Sequence, residues 1–162
     1  MFREMRRKKQ ALTAEEVTQI LTNGSAGVLA VDGDAGYPYA VPLSYVYHAG
    51  KIFFHCAKSG HKLDAIRRNP KVSFCVIEQD QVVPQEYTTY FRSVIAFGKA
   101  RILESDAEKW AALRLLAQKY YPTGSAQAHE EAIRNEYAPV CVVELTVEHA
   151  TGKEAIELAR KK

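Results

Sequence analysis

Between Gly27 and Cys56 the sequence changes character repeatedly within about thirty residues. Gly27-Val-Leu-Ala-Val31 is a short apolar run, Asp32-Gly-Asp-Ala-Gly36 is a turn, and Pro38-Tyr-Ala-Val-Pro-Leu-Ser-Tyr-Val-Tyr47 is a longer run rich in aromatic and branched residues. His48-Ala49-Gly50 then turns the chain into Lys51-Ile-Phe-Phe-His-Cys56. Links this short cannot make the crossover that a parallel pair requires, so the three runs are expected to form an antiparallel meander.

The rest of the chain inserts helices into this pattern without alternating them with strands. Thr13-Ala-Glu-Glu16 has the capping-box form, Val17, Ile20 and Leu21 then share one helical face, and Asn23-Gly24 supplies a stop. His61–Asn69 reads as a short helix with Leu63 and Ile66 inward, ended by Pro70. Lys71–Ile77 is a strand, Glu78–Gln85 a polar loop, and Tyr87–Phe97 a strand that continues to Leu103 after a bulge or bend at Gly98. Ser105-Asp-Ala-Glu108 is a second capping box, followed by Leu113, Leu116, Ala117 and Tyr120 at helical spacing. A helix near Ala128–Arg134, a last strand over Val140–Val147 and a basic tail complete the chain. The expected fold is mostly β, an antiparallel barrel with peripheral helices. Neither GxGxxG nor GxxxxGK[ST] occurs, which removes the usual dinucleotide and P-loop signatures.

With 162 residues the chain makes one domain: a basic arm at 1–12, a barrel domain at 13–150, and a tail or helix at 151–162. Lys and Arg number 22 against 19 Asp and Glu, a net charge of +3, and Arg3, Arg6, Arg7, Lys8 and Lys9 of the arm more than account for it. A near-neutral body argues against a nucleic-acid partner. Cys56, Cys75 and Cys141 lie far apart in apolar runs with no metal-ligand spacing, so no metal site and no disulfide is expected. Reduced thiols and the lack of any apolar run near the bilayer-spanning length point to a cytoplasmic protein with no membrane partner.

Chemistry concentrates in Phe54-His-Cys-Ala-Lys-Ser-Gly-His-Lys-Leu-Asp64, which leaves a strand end and enters a helix start. Free amides and the positive end of the helix dipole suit a phosphate there, with Ser59, His61 and Lys62 as further donors. The plainer alternative is a solvated basic helix start. His55 shares a strand face with Phe53 and precedes this loop, as either a core histidine or a ligand contact. Pro42, Leu43 and Ser44 lie on the preceding strand, where backbone groups can meet the edge of a planar ring or simply form an edge strand. Arg92-Ser93 interrupts an apolar strand; the arginine needs an anionic ligand, a carboxylate across a subunit interface, or solvent. No Ser/His/Asp arrangement or paired carboxylates stand out.

Taken in order, MFREMRRK, YPYAVPLSYVY, KIFFHCAKSGHKLDAIRRNPKVSFCV, YTTYFRSVIAFGKARIL and VELTVEHATGKEAIEL resemble the nitroimidazole-resistance branch of the pyridoxamine 5′-phosphate oxidase-like split barrels. The resemblance covers nearly the whole chain. It implies a six-stranded antiparallel split barrel, a homodimer with two flavin sites at its interface, and FMN or FAD as cofactor. The phosphate would lie near Ser59, His61 and Lys62, and the ring along Pro42, Leu43, Ser44 and His55. Arg92 and Ser93 would come from the second subunit. His55 would be catalytic, facing a small nitroaromatic substrate in a flavin-dependent reductase. A pyridoxamine-phosphate-type oxidase, a non-catalytic flavin- or heme-binding module, and a nucleic-acid binder using the arm are the alternatives.

Overall fold

The computed structural model describes residues Met1–Lys162, and its first long helix starts at a capping box. Thr13 accepts the Glu16 amide and the Glu16 carboxylate accepts the Thr13 N–H, so the capping box opens α1 (Ala14–Asn23) as expected. Val17, Ile20 and Leu21 are buried along its inner face. The strands are β1 (Gly27–Asp32), β2 (Pro38–Leu43), β3 (Val46–His48), β4 (Lys51–Ala57), β5 (Lys71–Val83), β6 (Thr88–Ile102) and β7 (Val140–Glu154). Helix α2 (His61–Arg68) follows β4, the pair α3 (Asp106–Tyr120) and α4 (Ala126–Glu136) lies between β6 and β7, and α5 (Ile156–Ala159) ends the chain.

The seven strands pair antiparallel in the order β2-β1-β5-β6-β7-β4-β3. The two edges of this sheet are consecutive in the chain, separated only by Ser44 and Tyr45. The run Pro38–Tyr47, expected as one strand, therefore breaks in the middle: its first half pairs with β1 and its second with β4. Counted as one strand it gives the six of a split barrel, and the break is the split. The fold is a mostly β antiparallel split barrel with peripheral helices.

Its interior holds Leu29, Ile52, Phe54, Phe74, Val76, Val94 and Leu145, all fully buried. A second apolar layer lies outside the barrel wall, where Phe53, Val142 and Val46 pack against Leu113 and Leu116 of α3 and Ile133 of α4. Strand β4 is thus buried on both faces over Ile52–Phe54, while Lys51 at its start and the residues from His55 onward reach solvent.

Three elements differ from the sequence expectation. The polar stretch after Ile77 is not a loop: β5 continues to Val83 and pairs with the start of β6 after a register shift between Ile77 and Gln79. This ribbon is largely exposed, so it has no hydrophobic alternation to reveal it. Strand β7 runs seven residues past Val147, and its register shift faces Phe97 and Gly98 of β6. The irregularity expected at Gly98 lies opposite it: Glu148 of β7 is the extra residue, and Gly98 permits the close approach because a Cβ there would run into the Thr146 carbonyl. The second capping box is half formed: Ser105 accepts the Glu108 amide, while the Glu108 carboxylate turns to Arg101. No helix is long and apolar enough to cross a membrane, and all three cysteines are free.

Candidate functional site

The break between β2 and β3 positions the candidate residues. Val46 pairs with Phe53, so continuing that register would set Ser44 against His55 and Pro42 against Ala57. Instead the chain swings away to β1. The outer edges of Pro42–Ser44 and of His55–Ala57 are left without a strand between them, and backbone groups there are open to a ligand. Ser44 and His55 line one and the same cavity at this fork. Pro42, lacking an N–H, sits on the edge strand where that loss costs no ladder bond.

Two residues at the end of α3 hold the fork open. The Tyr120 hydroxyl accepts the Tyr45 N–H at 2.9 Å and donates to the Ser25 carbonyl at 2.6 Å. The Lys119 ammonium donates to the Tyr45 carbonyl at 2.8 Å and to the Gly24 carbonyl, and lies 3.9 Å from the centre of the Tyr45 ring. Burial pushes the Lys119 ammonium below its ordinary value. The Tyr45 phenol is fully buried and donates to the Leu21 carbonyl at 2.6 Å. Backbone groups that would otherwise pair in a sheet are thereby satisfied at the break. Neither Lys119 nor Tyr120 carries a local sequence signal for this role; Tyr120 reads only as part of an apolar helix face.

The chain then leaves β4 through Lys58 and Ser59, both exposed, to Gly60, the N-cap of α2. Gly60 has φ of 148°, a conformation nearly closed to other residues, and no side chain caps the helix. The first amides of α2 are free, and the dipole adds positive potential. Lys62 is half-buried on the first turn. Its charge reaches Cys56: burial, with Cys141 directly opposite on β7, pushes that thiol up to about 11, and Lys62 pulls it the other way.

His61 stacks on Tyr39 of β2, ring centres 4.1 Å apart. Its Nε2 is buried without a hydrogen-bond partner, with the nearest carboxylate oxygen, on Asp34, at 3.7 Å. Asp34 itself is paired with Arg68 at 3.2 Å. Uncapped amides, Lys62 and an unsatisfied imidazole nitrogen at one corner match an anionic group, and the open fork matches a planar ring with hydrogen-bonding edges. The donor set therefore fits a flavin phosphate. No cluster of His, Cys, Asp and Glu is suited to a metal.

Arg92 and Ser93 are placed elsewhere. The Arg92 guanidinium meets Glu78 at 2.8 Å, Glu154 at 3.3 Å and Glu16 at 3.5 Å. The anionic partners that a half-buried arginine needs come from its own chain. Ser93 points the opposite way, onto the outer sheet face with Ile95 and Phe97, which are 43% and 37% exposed.

Glu16 belongs to this network through Lys162 as well. The hydrogen bond from Lys162, helped by the Thr13 amide, lowers its carboxyl to about 2. That is below the unfolded value, so its stabilisation is complete above about pH 5 and is lost as the pH falls toward about 2. Glu16→Gln is expected to flatten the acid limb of a stability-against-pH curve in that window. An unchanged slope in urea unfolding would show that the carboxylate carries no such linkage.

Comparison with known proteins places this geometry. A family model described as pyridoxamine 5′-phosphate oxidase matches residues 13–154. Among solved structures, a candidate 5-nitroimidazole antibiotic resistance protein from Bacteroides thetaiotaomicron superposes with a TM-score of 0.73 at 23% identity, over 89% of this chain and 86% of that one. An FAD-binding protein from Mesorhizobium loti gives 0.67 at 26% identity, over 90% and 97%. An FAD- and heme-binding protein from Mycobacterium smegmatis gives 0.75 at 21% identity, over 91% and 73%. No curated protein matches significantly. The family match runs from the Thr13 cap to the last residue of β7 and so takes in both the fork and the α2 corner; this chain belongs to the pyridoxamine 5′-phosphate oxidase family.

Proposed function

We propose that the protein is a flavin-dependent reductase of small nitroaromatic compounds, with FMN as cofactor and FAD as the alternative. The observation that carries this reading is the β2/β3 fork, which leaves Ser44 and His55 facing a cavity while the uncapped α2 corner offers an anion site on the same strand exit. The similarity to FAD-binding proteins and to a nitroimidazole-resistance candidate supports it.

His61, Lys62, Ser59 and the first α2 amides would hold the phosphate, and Pro42, Leu43 and Ser44 the ring edge. When bound and reduced, the flavin supplies electron pairs to a nitro group. His55, exposed at the end of β4, orients the substrate and donates an imidazole N–H proton as charge builds on the nitro oxygens. The protein's part is position and electrostatics. The site would be completed by a second copy of the chain. The outer sheet face exposes Ile77, Ile95 and Phe97 beside Ser93, an apolar strip suited to a self-complementary contact.

The test is the visible spectrum of the purified protein, followed by nitroimidazole reduction with a reduced nicotinamide as donor. Wild type should carry or take up flavin, and His55→Ala should keep it while losing about a hundredfold or more in kcat. Full-rate reduction by His55→Ala would remove His55 from the chemistry. Flavin uptake with no reduction by wild type would make the protein a flavin carrier.

A further inference from the structure

The cavity at the fork extends well beyond the strands. It occupies about 430 Å³ between the outward face of β4 and the α3–α4 hairpin. Leu113 and Leu116 of α3 form one wall, Ile133 of α4 the other, and His55 the floor. An apolar cavity of about 150 Å³ already holds benzene, so this one has room for a substituted ring. Ser44, Tyr120 and Glu136 supply its other polar groups.

Its charge is one-sided. Glu136 is the only lining residue with a permanent charge, and no Lys or Arg lines the space. Lys119 is adjacent in sequence to the lining residue Tyr120 but directs its ammonium to the Gly24 and Tyr45 carbonyls. Glu136 is also the last residue of α4, where the negative end of the helix dipole adds to its carboxylate. An anionic ring would meet repulsion at the Glu136 end, with the His55 imidazole at the floor as its sole counter-charge. A ring bearing an ammonium group could bury its apolar face between the helices with its charge toward Glu136.

We propose that this inter-helical cavity is the specificity pocket of the protein and selects planar aromatic molecules with a cationic substituent over anionic ones. The selection rests on the proposed reductase reading only for the identity of the reacting group. It sets the charge class of the substrate, with Glu136 as the discriminating residue and Ile133 as a wall.

Three matched probes test it: 4-nitrobenzylamine as the ammonium, 4-nitrobenzyl alcohol, and 4-nitrobenzoate. Binding to the full-length protein is measured by ligand-observed NMR titration, with and without added FMN. The amine should bind about threefold more tightly than the alcohol, as for an exposed ion pair, with the gap shrinking in high salt. The benzoate should bind most weakly. Glu136→Gln, a surface change, should bring the amine to the level of the alcohol. Ile133→Trp should fill the inter-helical end of the pocket and weaken binding of all three. Equal binding of amine and benzoate, or an unchanged amine preference in Glu136→Gln, would overturn the proposal. Failure to take up FMN with the probe pattern intact would instead overturn the reductase reading, so the two claims fail separately.

Discussion

Arg92→Met is expected to lower the unfolding free energy by about 3 kcal/mol. The change removes the cation shared by Glu16, Glu78 and Glu154. Glu154 is 2% exposed and cannot recover its lost partner from water, although Lys162 at 2.9 Å keeps part of its compensation. In a domain of this size the corresponding fall in Tm is about 6–12 °C. Arg92→Lys should restore little, because a single ammonium cannot reach in three directions as a guanidinium fork does. The flavin-free protein is the right sample. If Arg92 served mainly a ligand, Arg92→Met would leave that sample's unfolding curve in place and weaken only flavin binding.

The second large effect concerns the fork. Lys119→Met with Tyr120→Phe keeps the apolar bulk of both side chains and removes every side-chain hydrogen bond to the Tyr45 backbone. The Tyr45 N–H and carbonyl and the Gly24 carbonyl then lose partners, at about 1–3 kcal/mol for each group that stays buried. Segment 44–45 would be freed to extend β3 along β4, closing the opening between Ser44 and His55. Flavin affinity should fall at least about tenfold, more than the stability loss alone explains. Tyr120→Phe alone should show a smaller loss in the same direction, because Lys119 still holds the Tyr45 carbonyl. Flavin affinity equal to wild type in the double variant, measured where both proteins are fully folded, would show that the fork does not set the site.

The sequence makes the meander, the two main helix starts and the irregularity at Gly98 legible because each has a short-range cause: a tight turn, a cap, a residue without a side chain. The β2/β3 break has no such cause. Pro38–Tyr47 reads as one strand by propensity, and it divides because β1 on one side and the distant Lys119 and Tyr120 on the other compete for its backbone. The ribbon at residues 78–83 is invisible for the opposite reason, since it pairs without burying an alternating apolar face.

The candidate site divides in the same way. His61 and Lys62 follow Ser59-Gly60 at a strand-to-helix junction, so their place at a free helix start can be read locally. That the His61 Nε2 is left unsatisfied beneath Tyr39 can be seen only in three dimensions. Arg92 shows the limit of composition. An arginine in an apolar strand signals an anion, but three carboxylates from α1, β5 and β7 answer that need, and they lie far from it in sequence. Glu136 and Ile133 give no signal at all, because a helix pair identifies its inner face without showing what lies beneath it.

The most direct test is a pair of equilibrium titrations, FMN and riboflavin, into wild-type protein and into the His61→Ala/Lys62→Ala variant, followed by flavin fluorescence. The α2 corner predicts that wild type binds FMN at least about tenfold more tightly than riboflavin, since charge-assisted bonds to the phosphate are each worth about 1.5–3 kcal/mol. In the variant the preference for FMN should fall several-fold toward the riboflavin level, with Ser59 and the first α2 amides retaining the remainder. Equal affinities for FMN and riboflavin in wild type, or no flavin binding at all, would contradict the assignment of this corner as the phosphate site.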